Sequence, residues 1–217
     1  MASISTTFLE AGKFAVDVMA SSEVGEAWSL PSALIGYSVG GIAGHICSLI
    51  CLTESLLEEV EPSGLYVIGI ELFYSGNKVD YPDDLNFGLH SFLREDGERR
   101  AKAGQSSLIE TSMNSLRRLE KILSTSYPKR LVPVVKIRNS ATTLDTYLRT
   151  RIVELIVHAD DLLASMSDPP EMIAPQEAMN VTLNTLMLLS RSMSSNLNVV
   201  RAFARQERAD LQEIRVF

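Results

Sequence analysis

Ile152-Val153-Glu154-Leu155-Ile156-Val157-His158-Ala159 holds two polar side chains among six apolar ones. Glu154 and His158 are four apart, so on a helix they stand one turn apart on one side. A helix that is apolar nearly all round is a buried one. An isolated carboxylate is too costly to bury, so Glu154 must be protonated, paired or bound to a cation. Two readings meet that demand. One is a buried hydrogen-bonded Glu–His pair. The other is a metal centre, because carboxylate and neutral imidazole are both zinc ligands and this spacing aims both at one ion.

The flanks extend the stripe. Arg151 lies three residues before Glu154, and Asp161 lies three after His158. Asp161 is placed to accept the second ring N–H of His158, the usual way a metal-bound histidine is held. Arg151 is placed to neutralise Asp161 or Glu154, or to meet an anionic ligand. On the bland reading, Arg151 and Asp161 are solvated ends of the helix.

The chain has 217 residues, 46% hydrophobic and 22% charged, the make-up of a globular unit with a full core. Its net charge of −7 argues against nucleic acid, which asks for a basic face, and against an anionic membrane surface. No basic, apolar leader opens the sequence, which points to a cytoplasmic protein. Cys47 and Cys51 are the only cysteines, and four apart in one helix they are poorly placed for a disulfide. They are expected to be reduced core residues.

Residues 6–20 predict a first amphipathic helix, with Phe8, Leu9, Phe14, Val18 and Met19 on its apolar stripe. Residues 21–30 read as a connection. No Asp, Glu, Lys or Arg occurs from residue 27 to residue 53, long enough to cross a membrane. Pro31, Gly36, Gly40, Gly41 and Gly44 interrupt that stretch, no basic residue flanks it closely, and Glu54, Glu58, Glu59 and Glu61 follow. A buried bundle helix over residues 37–60, capped by Ser38, fits better.

His45 falls inside that second helix, on one face with Ile42, Leu49, Leu52 and Leu56. It therefore points into the core, while Cys47 lies about 200° round the helix and is unsuited to share its metal. Gly41 and Gly44 leave room for a close neighbour. Alone, His45 reads as a core histidine satisfied by a backbone carbonyl. Set beside Glu154 and His158 on another buried helix, it completes two histidines and one carboxylate, a catalytic zinc set with an open fourth position.

Residues 64–75 are rich in β-branched and aromatic types and read as a short strand or extended wall. Residues 77–88 read as loop, and His90 as peripheral. A third helix is expected over residues 91–124, with its run 95–102 as a solvated face; Arg99 or Arg100 is placed to line a pocket mouth. Residues 131–138 look extended, limited by Pro133 to an edge. A fourth helix spans residues 142–166, ended by Asp168-Pro169-Pro170. A fifth runs from Pro175 to about residue 196 with an apolar face of Met179, Leu183, Leu186, Met187 and Leu189. A last helix over residues 197–208 carries Arg201, Arg205 and Arg208, either as carboxylate or thiol-cofactor contacts or as a solvated basic face. There is no internal repeat, Gly-rich phosphate loop, G-x-S-x-G or zinc-finger spacing.

The fold expected is mainly α: a metal-binding helical bundle over residues 1–167, with short extended insertions, and a C-terminal helical appendage over residues 168–217 packed on it as one folding unit. Three pieces of sequence resemble the mycothiol-dependent maleylpyruvate isomerase-like family, within the DinB-like four-helix bundles. They are Trp28…Pro31-Ser32…Gly36-Tyr37-Ser38-Val39…His45; Arg151-x-x-Glu154-x-x-x-His158-x-x-Asp161-Leu162; and the ending Val200-Arg201-x-x-x-Arg205-x-Glu207-Arg208…Arg215-Val216-Phe217, similar to actinobacterial members. The resemblance implies His45, Glu154 and His158 as ligands of a divalent metal, zinc, with water or a thiol as the fourth. It implies a low-molecular-weight thiol, mycothiol, activated as thiolate and acting on a small electrophile, as an isomerase or a transferase. The implied partners are that thiol and that substrate, bound by a monomer or homodimer. The region after Met166 is shorter than the isomerase's α/β appendage, which sets maleylpyruvate itself apart from the metal.

Two other functions are compatible with the same residues. A metal-dependent hydrolase would use a bound water and would need Asp161 as base. A non-catalytic bundle would use the metal for folding or sensing.

Overall fold

The computed structural model describes residues 2–79 and 88–204, with the backbone alone for residues 75–79 and for Leu89 and His90. The expected position of His90 therefore lies outside the described side chains, as do Arg205 and Arg208 and the loop residues 80–87.

Several helices start where a short polar side chain meets an orphan amide. α1 (Ile4–Met19) begins at Ser3, whose hydroxyl accepts from the Thr6 N–H at 3.1 Å. The connection after it holds a short helix, α2 (Ser22–Glu26), capped by Ser21. α3 (Val39–Glu58) begins at Ser38, whose hydroxyl accepts from the Gly41 N–H at 2.9 Å.

Residues 64–75 divide. Only Tyr66–Val67 forms a strand, β1, and Ile70–Val79 is helical, α4. The aromatic residues there serve as buried helix packing, with Phe73 6% and Tyr74 0% exposed.

The expected third helix is two: α5 (Gly88–Ala101) and α6 (Gln105–Thr125). The break falls at Gly104, whose φ of 84° suits glycine and ends helical geometry. β2 (Leu131–Pro133) runs antiparallel to β3 (Ser140–Thr143), and β1 pairs parallel to β3 on its other side. Pro133 thus lies on an edge strand, where its missing N–H costs least. β3 passes directly into α7 (Leu144–Ala164) through Thr143, whose hydroxyl accepts from the Thr146 N–H at 3.2 Å. α8 (Gln176–Met193) and α9 (Asn196–Ala204) follow.

Four helices form the bundle. α1 and α3 each pack against both α6 and α7. Ile42, Ile46, Ile50, Leu119, Leu148, Ile152, Leu155 and Leu162 are fully buried at its centre. α3 is apolar and long enough to span a membrane by composition, yet 78% of its most apolar window is buried inside the protein. α8 lies against α7 and α1. It buries Ala178, Thr182, Thr185 and Leu189, and Leu183 and Met187 face solvent at 58% and 38% exposure. Ala178, Thr182 and Thr185 thus lie against the bundle beside Leu189, with Met179 and Leu186 partly buried on it.

α5 seats on the outer side of α3. The charged run is solvated only in part: Glu95, Arg99 and Lys102 are exposed, and the rest turns towards α3. Gly97 is buried against Gly41 and Gly44, Glu98 accepts from the Ser38 N–H at 2.7 Å and its hydroxyl at 2.9 Å, and Asp96 accepts from Ser48 at 2.8 Å. Arg99 and Arg100 both pair with Asp96.

Candidate metal centre

Two bundle helices supply the site. α3 contributes His45, which is 6% exposed. α7 buries Ile152, Val153, Leu155 and Ile156 around its circumference. That leaves Glu154 and His158 on the stripe facing α3. Fully burying each large aliphatic contributes roughly 1.5–3 kcal/mol, and several together match the several kcal/mol that burying one ion costs.

The ligand atoms of His45, Glu154 and His158 lie within 4.8 Å of one another. His158 Nε2 is 3.5 Å from Glu154 Oε2, and the His45 and His158 rings meet edge to face, 4.8 Å between centroids at 87°. Tetrahedral zinc with donors at about 2.0–2.2 Å holds them roughly 3.3–3.5 Å apart. The donor set and spacing therefore fit a divalent ion with one coordination position left for a further ligand. Cys47 and Cys51 are free, with sulfurs 3.9 Å apart, and are not in the cluster.

The surroundings fix the donors. His158 Nδ1 is 2.9 Å from Asp161 Oδ2, which leaves Nε2 turned towards Glu154 and His45. Glu154 Oε1 accepts from the Tyr74 hydroxyl at 3.4 Å. Burial would raise the Glu154 carboxyl, but the His158 hydrogen bond and the Arg151 charge outweigh it and hold it down to about 2. Burial and the neighbouring His158 push His45 down to about 3, so its ring is neutral near pH 7 and presents a lone pair. For His158 burial acts the other way from its neighbours, and the bonds to Asp161 and Glu154 prevail, raising it to about 9.

Several contributors lack a legible sequence signal. Tyr37 stands with its ring 6.4 Å from His45, its hydroxyl raised to about 12 chiefly by burial. Phe73 and Tyr74 come from α4, in the stretch that reads as extended. Lys136 lies between β2 and β3, its ammonium 4.2 Å from the Phe73 ring centre and 5.4 Å from that of Tyr74. Trp28, on the approach to α3, donates to the Ala101 carbonyl at 3.2 Å and lies against Gly40. Arg201 lies on α9, exposed, with Asn198 as its partner at 3.4 Å. The bundle contacts of α9 are with α8, so Arg201 is not brought to the three ligands.

Comparison with known proteins agrees with this architecture. Two solved structures share the fold: a mycothiol-dependent maleylpyruvate isomerase (14% identity, TM-score 0.54) and a histidine-to-alanine mutant of such an isomerase (12%, 0.53). Each match covers 89% of this chain and 73% of the other. No curated protein matches. The model of one family, the mycothiol maleylpyruvate isomerase N-terminal domain, matches residues 9–163, from α1 through the Glu154–Asp161 stripe, and to that family this chain belongs.

Proposed function

We propose that this protein is a metal-dependent enzyme that uses a low-molecular-weight thiol, mycothiol, as nucleophile towards a small electrophile, in a transfer or an isomerisation. The observation that carries this is the convergence of His45, Glu154 and His158 within 4.8 Å, with the far nitrogen of His158 held by Asp161. Zinc suits the donor set, and when bound it would supply the Lewis acidity that keeps a coordinated thiol as thiolate. Family membership and the mycothiol dependence of the two structural neighbours support the choice of thiol.

The chain's own residues do the rest. His45 and His158 present ring nitrogens, and Glu154 presents an anionic oxygen. Asp161 holds the His158 tautomer. The buried Tyr74 hydroxyl donates to Glu154, and the Phe73 ring packs edge to face on Tyr74. Free Cys47 and Cys51 suit a reducing compartment, the cytoplasm. The protein would act as a monomer or homodimer, without nucleic acid or membrane.

The test is metal content by plasma mass spectrometry on wild type and His158→Ala, followed by an electrophile screen with and without mycothiol. Near-stoichiometric zinc lost in the variant, and turnover that requires the thiol, are expected. Turnover without any thiol would make this a hydrolase. A folded wild type that takes up no zinc on titration would end the enzyme reading and leave a buried Glu–His pair.

A further inference from the structure

Cys47 and Cys51 stand one turn apart on α3, both free, on the side of the helix turned from His45. Their sulfurs are 3.9 Å apart. Cys47 is fully buried and Cys51 only partly covered, so the pair is approachable from outside at Cys51.

Two neighbours are not explained by core packing. The hydroxyl of Ser112, on α6, is fully buried beside Cys47 and has no hydrogen-bond partner among the described residues. An orphaned buried hydroxyl is costly, and an anionic sulfur acceptor beside it would satisfy it. Arg100 of α5 lies near both sulfurs, with its Nε donating to Asp96 and further N–H groups to spare. A donor and a cation thus face two thiols that, while neutral, need neither.

The spacing decides what the sulfurs can hold. A disulfide would have to close them to about 2.05 Å against the helix that carries them. Metal–sulfur bonds of about 2.3 Å place two sulfurs about 3.8 Å apart round a tetrahedral ion and about 4.0 Å apart round a trigonal one. The pair already stands at that separation. The donor count decides the kind of ion. Zinc takes four ligands and harder ions take more, mostly oxygens. Among the described residues no His, Asp or Glu joins the cysteines in a ligand cluster. Thiolates select soft ions, and copper(I) is the one that does not ask for a full tetrahedral set.

We propose that Cys47 and Cys51 form a second metal site, on the side of the bundle where α3 meets α5 and α6, which takes copper(I) through both sulfurs. Two copper–sulfur bonds form and both thiol protons pass to solvent. One negative charge is left on the complex, and it faces Arg100. Copper stays monovalent, so no oxidant or reductant takes part. The site shares no donor with His45, Glu154 and His158, and it stands or falls apart from the function proposed above.

The experiment titrates copper(I) under nitrogen, in competition with bicinchoninate, into wild type, Cys47→Ser, Cys51→Ser and His158→Ala. Melting temperatures are recorded alongside. Wild type and His158→Ala should each withdraw one copper per chain from the chelator with equal affinity. Each cysteine variant should bind it more weakly by more than about tenfold. Failure of wild type to compete overturns the proposal. So does a Cys47→Ser variant that binds as tightly as wild type, which would reduce the site to one surface thiol. So does uptake that is lost in His158→Ala and kept in both cysteine variants, which would put the copper on the histidines. If Cys47→Ser fails to fold, Cys51→Ser decides, together with alkylation of wild type by iodoacetamide. One equivalent of copper should block modification of Cys51, and an unchanged alkylation rate overturns the proposal.

Discussion

The backbone of Gly97 lies against the Cα of Gly44, so that a side-chain carbon on Gly44 would collide with the Gly97 carbonyl. Gly44 is the residue before His45, a candidate ligand, and the contact seats α5 against α3. Two effects oppose each other in Gly44→Ala. Alanine in a helix interior is favoured over glycine by about 1 kcal/mol. Overpacking against rigid backbone costs typically about 1–3 kcal/mol. The steric effect should win, because a carbonyl cannot rotate away as a side chain can. Gly44→Ala is expected to lower stability by about 1–2 kcal/mol in chemical denaturation. Gly88→Ala, where nothing lies within 4 Å of the new carbon, should not. A stabilised Gly44→Ala would mean that α5 does not sit as described.

Asp161 touches the site only through His158, at 2.9 Å. Removing such a partner frees the imidazole to rotate and makes it less basic, which typically weakens metal affinity by about 10–100-fold. Asp161→Ala should therefore take up zinc with an affinity lower by that factor in competition with a chelating dye. Its melting temperature without metal should also fall, since buried His158 loses the Asp161 bond that helps hold it protonated. An unchanged affinity would show that His158 is held by packing alone.

The bundle was legible because its signal is periodic. The α7 stripe is apolar on every side but one, and Ser38 and the glycines before His45 mark where α3 begins. The three residues that converge, His45, Glu154 and His158, stand out in the sequence for the same reason, as polar residues on nearly all-apolar helices. What the sequence hid is set by tertiary partners. The run 95–102 looks solvated, yet Asp96, Gly97 and Glu98 all meet α3. Residues 70–75 belong to the stretch whose side chains suit a strand, and they fold as helix with Phe73 and Tyr74 buried and the Tyr74 hydroxyl on the Thr150 carbonyl of α7. Lys136 sits between two short strands, where no periodicity shows which way it points. On α8 the expected apolar face is met only in part: Leu189 is buried and Met179 and Leu186 pack on the core, while Leu183 and Met187 face out and Thr182 and Thr185 pack inward.

A second polar group on α3 makes a prediction about acid. Glu54 accepts hydrogen bonds from Ser115 and from Arg118 of α6. The Arg118 bond lowers its carboxyl below the usual range, against burial, with Ser115 assisting. A carboxyl lowered on folding gives stability that is complete above its unfolded value, near 4.5, and is lost as pH falls through the folded value. Wild type should lose stability between about pH 5 and pH 3 more steeply than Glu54→Gln, which has no proton to take up there. Parallel acid limbs in urea denaturation at pH 7, 5 and 4 would show that the α3–α6 contact does not depend on the charge.

Metal should stabilise the fold itself, because its ligands come from α3 and α7, which separate on unfolding. A ligand that binds only the native state at one hundred times its dissociation constant adds about 2.7 kcal/mol. For a chain of this length 1 kcal/mol moves the melting temperature by about 2–4 °C, so zinc at that concentration should raise it by about 5–11 °C. Chelation should reverse the rise. His158→Ala should show little of it at the same zinc concentration, and His45→Ala likewise, because each leaves two donors where three are needed to exclude solvent from the ion. Cys51→Ser, whose sulfur lies outside the cluster, should keep the full shift. Loss of the shift in Cys51→Ser, with the histidine variants unaffected, would move the metal to the cysteine pair and away from Glu154.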